Sequence, residues 1–309
     1  MFIMALEFFQ VIILIVVGGL VGISISFIGQ TGQGIVLPII LLLTGDVLLA
    51  IAINLLNDVI TSAAVSIGYL RKKKFAIRID ILIVIVVAIM TSFLGVYVLM
   101  TTALGSIFGW FIPFIMVLGL LFLKRGFPTH ESVKKMIQNL ARKTVKTEKD
   151  EKGISELNKK VEEQLITETN FIEGFISRGS RMFYILALGF GVLIGLNSGL
   201  FGASSGLIFV LALVILYGYP LKKGVGTALI LSIVIGSCTF LFYQILGLTI
   251  KGQLFLNFEL SLSLAIGSII SGIITSTYVQ KLSAKTMGRA VGFIIFILAS
   301  LSLVFFFIT

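Results

Sequence analysis

The sequence predicts an all-α integral membrane protein made of two inverted-topology repeats of about five helical segments each. Of the 309 residues, 58% are apolar and 12% are charged, whereas soluble proteins have about a quarter of their residues charged. Apolar runs such as 81–100, 258–279 and 291–308 approach the ~20 residues that a helix needs to cross about 30 Å of hydrocarbon. Glycines that recur at one offset in the two halves indicate the repeats.

The recurring glycines are separated by 173 residues. They are Gly18, Gly22, Gly29 and Gly45 in the first half, and Gly191, Gly195, Gly202 and Gly218 in the second. Chance alignment of two windows this rich in glycine would share about 1.5 of them, so four indicate a duplication. In both halves the third glycine of the set interrupts an apolar run, at 27–34 and at 200–206.

Ten apolar segments can be delimited along the chain. They cover about 8–28, 35–45, 50–70, 79–101, 105–123, 182–201, 207–218, 224–246, 258–280 and 287–308. Segments 35–45 and 207–218, with about eleven residues, would extend only ~17 Å as helix, about half of the hydrocarbon thickness. We therefore expect short broken or re-entrant helices near the midplane, and either eight or ten spans.

The placement of charge predicts the topology. Thirteen of the 24 basic residues and nine of the 14 acidic ones lie between Lys124 and Arg181. Ten of the other eleven basic residues fall in three short loops, at 71–78, 222–223 and 281–289, which the positive-inside rule places in the cytoplasm. Strict alternation then also places the charged stretch in the cytoplasm and both termini outside. Because each half has an odd number of segments, the second repeat lies upside down relative to the first.

This organisation predicts a first membrane repeat at 1–124, a charged cytoplasmic linker at 125–181 and a second membrane repeat at 182–309, all in a protein of the cytoplasmic membrane. The linker is rich in Lys, Glu, Gln and Asn, which favours a tether that joins the repeats, with amphipathic helical stretches. A homo-oligomer is compatible with this architecture.

The two breaks are candidate substrate sites, because a half-helix that starts inside the membrane presents unpaired N–H groups and the positive end of its dipole to an anion. The predicted donors are Gln30, Thr31, Gly32, Gln33 and Gly34 in the first repeat, and Ser204, Ser205 and Gly206 in the second. Asn54 and its offset equivalent Thr227 would flank them. The alternative is that these glycines only permit tight helix packing, as expected for Gly18-x-x-x-Gly22 and Gly191-x-x-x-Gly195.

Asp58 is the carboxylate placed deepest in a predicted span, and an ionisable group at that depth is a functional candidate. Asn54 and Thr61 lie four residues before and three after it, so a helix would put all three on one polar face, with Ser62 one turn beyond. A low-dielectric environment favours the uncharged carboxyl group, so Asp58 could couple proton movement to anion movement. The alternative role is an interhelical hydrogen bond without transport function.

Several functions find no support in the sequence. There is no Ser/His/Asp set, no metal-ligand spacing, no Walker-type phosphate loop and no pattern for nucleic-acid readout, so we predict neither an enzyme nor a cofactor or metal site. Cys238 is the only cysteine, which excludes an internal disulfide, and an apolar-flanked cysteine is most often a packing residue.

The chain resembles the TauE/SafE family of sulfite exporters. The resemblance is carried by the glycine-rich first break (22–34, with Pro38 and Gly45), the basic loop 71–74, the second break at 195–206, and the stretch 218–227 that follows it. It covers both apolar halves. It implies export or facilitated movement of sulfite, sulfoacetate or a related small sulfur-containing or organic anion across the cytoplasmic membrane.

The residues alone leave two other classes of function open. A cation-coupled transporter or channel would use Asp58 as its ion site. A membrane interaction protein without transport activity would use the charged linker as its working part.

Overall fold

A computed structural model describes residues 8–29, 33–72, 74–75, 79–102, 181–203, 205–283 and 286–294, together with 296, 297 and 300. The helices are α1 (Phe8–Ile28), α2 (Gln33–Thr44), α3 (Val47–Arg71), α4 (Ile81–Thr101), α5 (Arg181–Phe201), α6 (Gly206–Ile215), α7 (Leu221–Leu246) and α8 (Phe258–Val279). A π-helical turn, Gly247–Lys251, continues α7, and residues 286–294 are also helical. The predicted segment 105–123 and the predicted linker up to residue 180 lie outside the described residues.

Six of the described helices are long and apolar enough to cross a membrane, namely α1, α3, α4, α5, α7 with its π-helical turn, and α8. This confirms the all-α integral membrane class. The helices α2 and α6 have 12 and 10 residues and therefore extend about 18 and 15 Å, well short of about 30 Å of hydrocarbon. The two segments predicted to be short are short helices in the structure.

The two halves share their helix bounds and their helix contacts. The helices α1 and α5 begin and end 173 residues apart, and α2 and α6 begin at the same offset. The helix α1 packs along α8 while α5 packs along α4, α2 packs on α3 while α6 packs on α7, and α3 and α7 pack on each other. These equivalent pairs support the predicted duplication, and the opposite orientation of the halves in the membrane stays a prediction.

The first two glycine pairs permit close helix packing, as expected. A Cβ at Gly22 would collide with the carbonyl oxygen of Ser268 on α8, and a Cβ at Gly195 would collide with the carbonyl oxygen of Ala88 on α4. The glycines four residues earlier in α1 and α5 approach the same two partner helices. Small residues at these positions let the helix backbones touch.

The other two glycine pairs end helices. Gly29 and Gly202 follow α1 and α5 with φ of +67° and +63°, and Gly45 and Gly218 follow α2 and α6 with φ of +67° and +66°. Left-handed backbone of this kind is readily adopted by glycine and ends a helix. All four pairs therefore have the same structural role in both halves.

Basic residues gather at one end of the helix bundle. The Lys222 ammonium donates a hydrogen bond to the Gln280 carbonyl oxygen at 2.8 Å, and Gly226 packs against the carbonyl oxygen of Lys74. These contacts bring together the end of α3, the start of α7 and the end of α8. We call this the basic end; its side chains are Arg71, Lys72, Lys74, Lys222, Lys223 and Lys281. That it faces the cytoplasm stays a prediction.

Candidate functional site

A buried polar face runs along α3. Its side chains are Asn54, Asn57, Asp58, Thr61 and Ser62, each no more than 1% exposed. They share one side of the helix because their spacing follows the helical period. Such burial of five polar side chains in an apolar bundle is costly unless partners or a ligand compensate.

A hydrogen-bond network joins this face to α8. The Ser268 hydroxyl donates to the Asn57 side-chain carbonyl oxygen at 2.9 Å. The hydroxyls of Thr61 and Ser268 lie 2.6 Å apart and are hydrogen-bonded. The Ser268 hydroxyl also lies 3.2 Å from the carbonyl oxygen of Ala265 in its own helix. The network holds α3 and α8 in register on either side of Asp58.

A second contact joins the face to the break after α5. The Asn54 side-chain amide donates to the carbonyl oxygen of Gly202 at 2.7 Å, and Gly202 packs against Ile51. Because Gly202 ends α5 in left-handed backbone, its carbonyl oxygen points away from the helix ladder and can accept this bond. Asn54, a predicted site residue of the first half, thus contacts the break of the second half.

Ser205, in the second break, holds the chain against α5. Its φ of +57° is left-handed, which is uncommon for a residue with a side chain. Its hydroxyl donates to the Ile194 carbonyl oxygen at 2.7 Å and accepts from the Asn197 amide at 2.9 Å. These bonds stabilise the unusual backbone, so the predicted anion donor Ser205 uses its side chain to position the break. Its neighbour Ser204 lies outside the described residues.

Among the described residues, no side chain caps the start of α6. Asp46 caps α3 through the amides of Leu48 and Leu49, whereas Ser205 makes no such bond to α6. The first backbone bond of α6 is donated by Phe209. The amides of Gly206 and the two residues that follow it therefore have no acceptor within the helix, and they favour an anion.

The first break lies beside the start of α6. Gly29 is adjacent to Val210 on α6 and to Val225 and Ala228 on α7. Val210 is about one helical turn, or ~6 Å, from Gly206. The structure therefore brings the two breaks close to each other. Each break also packs on the third helix of the other half.

The structure describes only some of the remaining predicted site residues. Gln33 and Gly34 open α2, and their side chains are not described. Gln30, Thr31 and Gly32 lie outside the described residues. Thr227 is fully buried and donates its hydroxyl hydrogen to the Lys223 carbonyl oxygen at 2.8 Å, within its own helix.

Three polar atoms on the α3 face have no hydrogen-bond partner among the described residues. They are the side-chain oxygen of Asn54, the side-chain nitrogen of Asn57 and the hydroxyl of Ser62. More than nine in ten buried polar groups are normally paired, so three such atoms on one helix face are available to a ligand. They offer one acceptor, one donor and one group that can do either.

Charge around this face is sparse. Within the described ranges, Asp58 is the one buried side chain of the Asp, Glu, Lys, Arg and His types. No group of three or more His, Cys, Asp or Glu in the same part of the chain could hold a metal ion. The site thus has hydrogen-bonding groups and one carboxyl group, without a buried basic side chain.

The sequence analysis missed Asn57, Asn197 and Ser268. Asn57 could have been found, because it lies three residues after Asn54 and one before Asp58. Ser268 is one of several serines in α8, and no local signal distinguishes it from the others. Asn197 acts through its bond to Ser205, which depends on how the chain turns at the break.

Comparison with known protein families agrees with this architecture. The family model described as "Sulfite exporter TauE/SafE" matches residues 14–302, a range that includes most of both predicted repeats and the predicted linker. No match was found among curated proteins or among solved structures. Because the matched range covers nearly the whole chain, this protein belongs to the TauE/SafE sulfite exporter family.

Proposed function

We propose that this protein is a secondary transporter that exports sulfite or a related small sulfur-containing or organic anion across the cytoplasmic membrane. Membership of a family of sulfite exporters and six apolar spanning helices in the described residues support transport. The observation that carries the proposal is the uncapped start of α6, which lies next to the first break and to the polar face of α3.

The anion binds at the paired half-helix N-termini. We assign its ligands to Gln30, Thr31, Gly32, Gln33 and Gly34 at the first break, to Ser204, the Ser205 backbone and Gly206 at the second, and to Asn54 beside them. Thr227 flanks this group, with its hydroxyl hydrogen donated to the Lys223 carbonyl oxygen. In the second break, backbone amides at the start of α6 supply donors, and Ser205 fixes their direction through its bonds to α5. Glycine at the break leaves room for a compact oxyanion to approach the backbone.

Asp58 couples anion movement to proton movement. It is fully buried and lies one helical turn from Asn54, which contacts the second break. A proton taken up by Asp58 would lower the electrostatic cost of bringing an anion to the neighbouring break.

The test is uptake of radiolabelled sulfite by the full chain in proteoliposomes, with and without an imposed pH gradient. We expect saturable uptake that the gradient drives and that Asp58→Asn uncouples from the gradient. Glu259→Gln is the matched control, because it makes the same change at an exposed position in the first turn of α8 and should leave uptake unchanged. Absence of saturable flux for sulfite, sulfate, thiosulfate and sulfoacetate would contradict the proposal.

A cation-coupled transporter or channel is the second candidate, and the complete burial of Asp58 next to the Thr61 and Ser62 hydroxyls favours it. Carboxylate and hydroxyl oxygens are suitable ligands for a hard cation. This candidate predicts cation-dependent currents that persist when every candidate anion is removed. The proposed anion exporter predicts that those currents disappear.

A further inference from the structure

The two half-helix N-termini supply a limited positive charge. A helix N-terminus is equivalent to roughly half an elementary charge, so the pair of α2 and α6 offers about one. The positive charge of basic side chains lies elsewhere, since Arg71, Lys72, Lys74, Arg181, Lys281 and Arg289 are exposed and Lys222 and Lys223 are half-buried. In the described residues, no Lys, Arg or His is buried to balance a second negative charge.

The helices that pack on α3 add no buried charge among their described residues. Their buried polar side chains are Ser24 and Ser26 on α1, Thr227, Ser232 and Thr239 on α7, and Ser261, Ser263, Ser268 and Ser276 on α8. The buried tyrosines of the described residues, Tyr69, Tyr217, Tyr219 and Tyr243, are uncharged at neutral pH. A second negative charge on the ligand would therefore stay uncompensated in a low-dielectric site, where an unpaired charge is costly.

The unpaired atoms of the α3 face fit a ligand that carries a proton. The Asn54 side-chain oxygen accepts hydrogen bonds and has no donor among the described residues, while its amide nitrogen is already bonded to Gly202. An unprotonated oxyanion has acceptors only and could not pair with this atom, whereas an oxyanion with an O–H group could. The unpaired Asn57 nitrogen supplies a donor for the charged oxygens.

We propose that the transported species is a singly charged oxyanion that retains a proton, which for sulfite is the hydrogen sulfite ion, and that dianions such as sulfate are excluded. This inference rests on the proposed function and specifies its substrate class. The α2 and α6 N-termini match the single charge, and the Asn54 oxygen accepts the proton of the ligand. Among the described residues, no buried basic side chain is present to balance a second charge.

The experiment is exchange of labelled for unlabelled sulfite in proteoliposomes with the same pH on both faces, so that no gradient drives flux. Three competitors are added at equal concentration. The first competitor is unlabelled sulfite at a pH below its second pKa, where it is mainly the protonated monoanion. The second is sulfate, which is a dianion at the same pH. The third is methanesulfonate, a monoanion that carries no ionisable proton. We expect sulfate to compete at least roughly tenfold more weakly than hydrogen sulfite, with methanesulfonate between them.

Each outcome of the competition has a defined meaning. Sulfate that competes as well as hydrogen sulfite overturns the charge limit while sulfite transport itself stands. Methanesulfonate that competes as well as hydrogen sulfite, with sulfate still weak, overturns the role of the ligand proton. Absence of any sulfite exchange overturns the proposed function, and the inference with it.

A matched pair of variants tests the polar face directly. Ser62 and Ser66 are both buried on α3, but the Ser62 hydroxyl has no partner in the described part of the chain and the Ser66 hydroxyl donates to the Ala63 carbonyl oxygen at 2.8 Å. Because Ser62 lies about two helical turns, or ~12 Å, from Asn54, we expect Ser62→Ala to slow sulfite exchange several-fold as a step along the ligand path. Ser66→Ala should leave the exchange unchanged, and both variants should have normal thermal stability. Equal effects of the two variants would contradict a contact between Ser62 and the transported anion.

Discussion

Tyr69 donates its hydroxyl hydrogen to the carbonyl oxygen of Ser26 at 2.8 Å, which ties the end of α3 to the end of α1. The second half repeats this bond, since Tyr243 donates to the carbonyl oxygen of Gly199 at 2.6 Å. Both tyrosines are fully buried. Each acceptor lies three residues before a break glycine. The two bonds therefore fix the positions at which the chain leaves α1 and α5.

Removal of either tyrosine hydroxyl should destabilise the protein by a similar amount. In Tyr69→Phe and Tyr243→Phe, a buried carbonyl oxygen loses its donor, which costs about 1 kcal/mol. The two sites are far apart in the bundle, so the double variant should show the sum of the single effects. The measurement is the free energy of unfolding in detergent. Tyr97→Phe, at a position about half exposed (48%), is the control and should change it little.

A methyl group at the α4–α5 contact should also destabilise the fold. In Gly195→Ala, the new Cβ would collide with the Ala88 carbonyl oxygen and the Thr91 hydroxyl, and overpacking of this kind typically costs about 1–3 kcal/mol. Gly189→Ala lies on the same helix, where a Cβ meets nothing within 4 Å. We expect it to be neutral or slightly stabilising, because alanine favours helix more than glycine does. Equal unfolding temperatures for the two variants would contradict the packing role.

Two glycines with positive φ, Gly45 and Gly202, can distinguish the cost of left-handed backbone from the cost of a steric collision. Gly45→Ala places a side chain at φ of +67° with no neighbour within 4 Å, so it should cost about 1 kcal/mol from left-handed backbone. Gly202→Ala has a similar φ but would also collide with Ile51, so we expect a larger loss of stability. The measurement is the thermal unfolding temperature of the two purified variants. A lower unfolding temperature for Gly45→Ala than for Gly202→Ala would contradict this prediction.

The contact between α3 and α8 can be measured as a coupling energy. Thr61→Val and Ser268→Ala each remove one hydroxyl of the 2.6 Å pair with little change in shape. A double-mutant cycle on the free energy of unfolding should give a coupling of about 0.6 kcal/mol and no more than about 1.7 kcal/mol, the mean and the maximum found for hydrogen bonds between membrane helices. Coupling near zero would mean that the pair contributes no interaction of its own.

The lengths of the membrane segments follow from local properties of the chain. The predicted segments 182–201, 35–45 and 207–218 correspond to α5, α2 and α6 within a few residues. Apolar runs determine which residues form helix in the membrane, and glycines that adopt positive φ determine where those helices end. Both effects act within one or two turns, so they can be read from neighbouring residues.

The candidate site could be predicted only in part. Asn54 and Asp58 stand out because polar residues in a span are rare. The partner of Asn57, Ser268, is 211 residues away, and Asn54 contacts a glycine carbonyl 148 residues further on. No local sequence pattern pairs residues at such distances, because these contacts depend on how whole helices pack.

By itself, the sequence determined the membrane class and the positions of the two breaks, since hydrophobic burial and glycine backbone preferences are properties of short stretches of chain. The duplication is a prediction from the glycine spacing that the equivalent helix contacts support. The tertiary structure decided that each break packs on the third helix of the other half, that Ser205 turns its hydroxyl towards α5, and that Asn54 reaches Gly202. These relations arise because close packing of α3 against α7 and of α1 against α8 leaves each buried polar group only the partners that the neighbouring helices present.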